Sequence, residues 1–177
     1  FNLGLHNSGT GSINLNNSFG QTDLNQDLNL VSGSGGINLS QGIINLGTGN
    51  FNASSPVILG ANLNLTAGNS IFGSTISGQA QARNITVNAS DKVELNGQVG
   101  SSNLINNLTI TSPTGINISK DITTMGSQTW NGPVTLKGGN LAYVADNYSG
   151  LQIIDISDPD APTIQNAVDT PGNAYGL

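Results

Sequence analysis

"NITVNASDKVELNGQV" (residues 84–99) and "NLTITSPTGINISKDI" (107–122) carry one apolar pattern twice. Sliding the first by 23 positions sets Ile85 on Leu108, Val87 on Ile110, Val93 on Ile116, Leu95 on Ile118 and Val99 on Ile122. Upstream, "NLNLTAGNSI" (62–71) fits at a shift of 22, with Leu63 on Ile85, Leu65 on Val87 and Ile71 on Val93. Earlier still the register loosens to apolar pairs at Leu28/Leu30, Ile37/Leu39 and Ile44/Leu46. "LGL" (3–5) and "INL" (13–15) read as part of a first coil.

Within each phrase apolar and polar residues alternate with a period of two, the signature of strands with one buried face. The phrases are too short for helices. Short strands joined by Gly, Ser and Asn corners, recurring every 22–25 residues, describe an all-β parallel β-helix, or β-solenoid, over residues 1–139. Five or six coils at the strand spacing give a body about 25–30 Å long. Asn tolerates the left-handed backbone of tight corners and bonds its amide to the next copy. Asn64, Asn88 and Asn117 are therefore expected as ladder or corner residues.

Composition excludes several functions. Charged residues are 8% and the net charge is -6, with Arg83, Lys92, Lys120 and Lys137 the only basic side chains. Four scattered cations cannot track phosphates, so neither nucleic acid nor an anionic membrane surface is an expected partner. No apolar run is long enough for a membrane-spanning helix, so membrane insertion is not expected. Cysteine is absent, as in many exported chains. The chain begins at Phe1 without a signal-like leader, which reads as a processed or interior segment.

The language changes at "NLAYVADNYSGLQIIDISDPDAP" (140–162). Leu141–Ala145, Leu151–Ile156 and Thr163–Val168 read as strands, and "DNYSG", "SDPDAP" and "DTPGN" as turns. "AYVAD" (142–146), "GLQIID" (150–155), "SDPDAP" (157–162) and "DTPGNAYGL" (169–177) resemble the LVIVD repeat of bacterial surface and secreted proteins. That resemblance implies a propeller-like antiparallel β unit over 140–177. The solenoid coils, with "DITTMGSQTWNGPVTLKGG" (121–139), resemble filamentous-haemagglutinin-like adhesins, whose repeats fold as a right-handed β-helix. The two resemblances imply an extracellular or outer-surface bacterial protein.

A search for chemistry starts from the carboxylates. Asp23, Asp27, Asp91, Glu94 and Asp121 lie along the solenoid, and Glu94 falls over Asn117 rather than over a second acid. A carbohydrate-active β-helix enzyme would need a paired site, so no catalytic residue and no cofactor is expected. His6, the single histidine, reads as an exposed residue near one end, and "SGSGG" (32–36) lacks the Lys of a phosphate loop. Asp155, Asp158 and Asp160 are the calcium candidates, weighed against ordinary Asp-Pro turn chemistry. N-x-S/T triplets occur at Asn64, Asn84, Asn88 and Asn107 as a by-product of composition, and the adhesin resemblance implies glycosylation as the alternative reading. Trp130 reads as a core residue or a coil-end packer, and the coils are expected to lack the flat regular Thr array that ice binding requires.

The expected role is a rigid stalk or fibre segment carrying adhesive elements. A bare solenoid end exposes strand edges, and a tail strand can complete a neighbour's sheet. The alternative is thus a self-assembling filament subunit, with Tyr143, Tyr148, Leu151, Ile153, Ile154 and Tyr175 as assembly or capping candidates, and the alternative of another class is a carbohydrate-active β-helix enzyme. Expected partners are copies of the chain, neighbouring segments of a longer one, or a host or cell-surface protein or glycan.

Overall fold

The computed structural model describes residues 2–17, 25–100, 105–137, 141–147, 149–156, 161–169 and 172. They form two units, Phe1–Lys137 and Gly138–Leu177. The fold is all-β, with no helix among the described residues: a parallel solenoid of about six turns and a three-stranded antiparallel sheet.

The first coil holds β1 (Leu3–Asn7) and β2 (Ile13–Leu15). The second holds β3 (Leu28–Ser32), β4 (Ile37–Leu39) and β5 (Ile43–Asn45). The third holds β6 (Phe51–Ala53), β7 (Val57–Leu59) and β8 (Leu63–Ala67), and the fourth β9 (Ser70–Phe72), β10 (Ile76–Gly78) and β11 (Arg83–Ala89). The fifth contains β12 (Lys92–Leu95) and β13 (Ile105–Thr111), and the sixth β14 (Gly115–Ile118) and β15 (Gln128–Asn131). A last strand, β16 (Val134–Leu136), lies on β14. Stacking yields three parallel sheets: β1-β3-β6-β9-β12-β14-β16, β2-β4-β7-β10 and β5-β8-β11-β13-β15. Single bridges Ile76–Val99 and Val99–Ile122 continue the second sheet.

Every pair read from the shift of 23 is present, from Ile85 on Leu108 to Val99 on Ile122. The shift of 22 holds for β8 on β11 but fails at the next corner. Val93 lies on Ser70, while Ile71 lies on Glu94 and faces outward. One extra residue in the corner before β12 reverses the face of Ile71, because side chains alternate with every residue. Coil length also varies more than the expected 22–25. Asn50 and Asn69 occupy equivalent corners only 19 residues apart, and Asn107 and Ser127 only 20 apart. Corners absorb the difference, since only strand residues must keep register.

The interior is one apolar column bundle in which Leu28, Leu30, Leu46, Phe51, Leu59, Leu65 and Val87 have no exposed surface. Around the two core phenylalanines a large residue meets a small one in the fourth and third coils. Phe51 lies against Ser70 and Phe72 against Ala53, which seats the two rings 5.2 Å apart at 49°. Ser70 is fully buried and its hydroxyl has no hydrogen-bond partner. An unsatisfied buried hydroxyl costs about 1–3 kcal/mol, and alanine keeps nearly the same volume beside Phe51. Ser70→Ala is therefore expected to raise the unfolding free energy by about 1 kcal/mol, read from the urea midpoint at unchanged slope.

Corner serines close the coils. Ser55 Oγ donates to the Ser32 carbonyl at 2.5 Å and accepts the Ser32 N–H at 2.9 Å, while Ser32 Oγ donates to Gly11 O at 3.2 Å. Asparagine ladders exist, but not at the residues read from sequence. One column runs Asn2, Asp27, Asn50, Asn69. Each side-chain oxygen accepts the backbone N–H of the next coil, from Asp27 at 3.3 Å, Asn50 at 2.8 Å, Asn69 at 3.0 Å and Lys92 at 3.3 Å. A second runs Asn62, Asn84, Asn107 and ends on Ser127. Asn64 and Asn88 instead face outward in mid-strand, level with Thr86 and with Thr66 and Thr111. Asn117 is buried and donates to Glu94 Oε1 at 3.5 Å. The ladders form where a residue just before a strand, or among its first three, carries an amide or carboxylate in successive coils, a position the apolar alternation does not mark.

In the second unit β17 (Leu141–Ala145), β18 (Leu151–Asp155) and β19 (Thr163–Val168) pair antiparallel, with β18 central. Two of these strands have the bounds expected from sequence; β18 ends at Asp155, one residue short of Ile156.

Candidate functional site

Asp27, Asp91 and Glu94 of the solenoid make side-chain contacts within it. Asp27 Oδ1 accepts both the backbone N–H and the side-chain amide of Asn50, at 2.8 and 3.0 Å. Asp91 Oδ1 accepts Thr114 Oγ1 at 2.8 Å. Glu94 Oε1 lies 4.0 Å from Lys92 Nζ on the same strand, with both side chains partly in solvent. Such a pair contributes little. Asp23 lies outside the described residues. Among the described residues no three His, Cys, Asp or Glu side chains gather as metal ligands would. His6 is exposed on β1, level with Val31.

Of the calcium candidates, Asp155 ends β18 and its Oδ2 accepts Gln165 Nε2 at 3.1 Å. Asp158 and Asp160 lie outside the described residues. Of the assembly candidates, Leu151, Ile153 and Ile154 are half-buried on the central strand. Leu151 is flanked by Ala145 and Val168, and Ile154 by Ala142 and Ile164. Tyr143 is opposite Ile153 in the register, while Tyr148 and Tyr175 lie outside the described residues. Trp130 is half-buried over Ile110 and packs against the core, as expected of a coil-end packer.

One arrangement bears on the expectation that the coils lack a Thr array. The outward residues of the five-stranded sheet form two straight columns. The first sets Asn64, Thr86, Thr109 and Thr129 level with one another, and the second sets Thr66, Asn88, Thr111 and Asn131. A regular array is therefore present, of five threonines and three asparagines rather than of threonine alone. Its signal in the sequence was the tripeptide series "NLT", "TVN", "TIT", "TWN" at 64, 86, 109 and 129. It stays hidden while only the apolar centre of each triplet is followed.

Residues 134–170 match the family described as LVIVD repeat. The matched stretch begins inside the solenoid, at β16, earlier than the residues that carry the resemblance in the sequence. No curated protein and no solved structure gives a significant match. Nothing found supports the likeness of the coils to haemagglutinin-like repeats. The LVIVD repeat and the solenoid fit a repeat-type extracellular structural protein.

Proposed function

We propose that the chain is an outer-surface bacterial structural protein, a stiff β-solenoid stalk that holds adhesive elements away from the cell. The observation that carries this reading is continuous coil-to-coil stitching. The apolar core runs through every coil, and side-chain oxygens at the corners clamp each coil to the next. Stiffness along the axis is what a spacer needs, and repeat bodies whose units contact only their neighbours supply it additively. Antibody against the folded chain should label intact producing cells, and external protease should remove the label. Labelling only after lysis would end the surface reading.

A second reading, the filament subunit, is favoured by the last strand of the solenoid. Val134 and Leu136 on β16 and Met125 before β15 are 43%, 73% and 65% exposed. Neither β15 nor β16 has a further strand on its outer edge among the described residues. An apolar open edge of this kind recruits another edge. Under this reading the purified chain sediments as polymers, and Leu136→Asp returns it to monomers by placing an unpaired charge in the contact. Monomers of the unaltered chain at high concentration would exclude it.

A further inference from the structure

We propose that the outward face of the sheet β5-β8-β11-β13-β15 orders water in a lattice and binds ice. Its two columns stand one residue over one residue from β8 to β15, and the register shift between β11 and β13, at Arg83/Ile85, lies before them. Asn64, Thr66, Asn88, Thr129 and Asn131 are exposed, and the remaining threonines are half-exposed. Threonine is stiff about χ1, so each hydroxyl and methyl is held in place, and for Thr66, Thr86, Thr109 and Thr111 the strand beneath is paired on both sides. Asn131 Nδ2 donates to Thr111 Oγ1 at 3.3 Å, which ties adjacent rungs together.

Spacing and charge together choose the occupant. Rungs repeat at about 4.8 Å along the stack and columns stand about 6.7 Å apart along the strand. In tetrahedrally bonded water, an O–H···O length of about 2.75 Å puts two neighbours of one molecule about 4.5 Å apart and repeats the layers at about 7.3 Å. The long direction of the array thus has the closer match. The poorer one spans only two columns, so its error does not accumulate. The chain carries a net charge of -6, yet the two columns and the residues Ile43 and Asn45 that extend them include no ionisable group; Arg83, partly exposed at the start of β11, is the one ionisable residue on these strands. An uncharged face complements an uncharged solid. The face presents no aromatic ring either, since Trp130 turns inward against the core. A sugar polymer, which would use ring stacking, is the poorer fit.

The test uses the intact chain, allowed to partition between liquid and slowly growing ice, and assayed for inhibition of ice recrystallisation. Enrichment in ice and finer grains are expected. Thr86→Lys and Thr109→Lys should each weaken both effects by roughly tenfold or more, because an unpaired ammonium resists desolvation against an uncharged surface. Asn52→Lys, on the outward face of the seven-stranded sheet between Asn29 and Ile71, should leave them unchanged. Far-UV circular dichroism checks that each variant folds. Exclusion of the unaltered chain from ice overturns the proposal, as does equal loss in Asn52→Lys. Binding to insoluble cellulose or chitin without partition into ice, lost in the threonine variants, overturns it in favour of a sugar polymer.

Discussion

Phe51→Ala is expected to lower the unfolding free energy of the solenoid by about 3–5 kcal/mol, the cost of emptying a fully packed aromatic site. Phe51 has no exposed surface and touches the third and fourth coils at once, through its stack on Ser70 and its tilted contact with Phe72. The small neighbour Ser70 cannot expand into the void, and the backbone on either side is pinned by parallel ladders. Phe72→Ala should cost about as much, and the double variant less than the sum, by about 0.5–1.5 kcal/mol for the lost ring pair. The single tryptophan, Trp130, sits in the sixth coil, so its emission reads a defect three coils away. If the solenoid unfolds as one unit, the Trp130 midpoint falls with the far-UV midpoint. An unchanged Trp130 midpoint would mean that coils unfold independently, as nearest-neighbour coupling allows when the interfaces are weak.

Asn84→Ala carries the second large effect, about 2–4 kcal/mol. Its Oδ1 accepts three donors from the coil above: Asn106 Nδ2 at 3.0 Å, and Asn107 N and Nδ2 at 3.2 and 3.1 Å. All three contacts are partly buried, so alanine strands donors that water reaches poorly, each worth about 0.5–1.5 kcal/mol net. Asn84→Asp keeps the acceptor and should recover most of the loss, since Asp27 fills the equivalent position in the other column. Chemical denaturation of both variants beside the unaltered chain decides this. An alanine variant within about 0.5 kcal/mol of the parent would reduce the ladders to surface decoration.

How much could be read in advance differs residue by residue. Ile85 on Leu108 and Val93 on Ile116 were legible because both partners are apolar and sit in strands of equal length. Ile71 was misplaced because hydrophobicity alone does not say which side of a corner gains a residue, and Ser70 took the inward place instead. Asn84 and Asn107 were visible as N-x-T triplets, yet their work as acceptors depends on which atoms of the next coil lie above them. The LVIVD-like strands were legible with nearly exact ends, since Asp, Pro and Gly turns bracket them. That β16 pairs with the solenoid while belonging to the matched repeat could not be read from either pattern.

The amino-acid order alone determined that this chain is all-β, that its apolar residues repeat by the coil, and that its language changes before residue 140. Alternation and turn chemistry are local, and each is written within a few residues. Only the stacked structure decided which asparagines clamp, which serine is stranded in the core, and that threonines from four coils align into one uncharged face. Those properties depend on register between residues about twenty positions apart, and register is set by corner lengths that no single coil encodes.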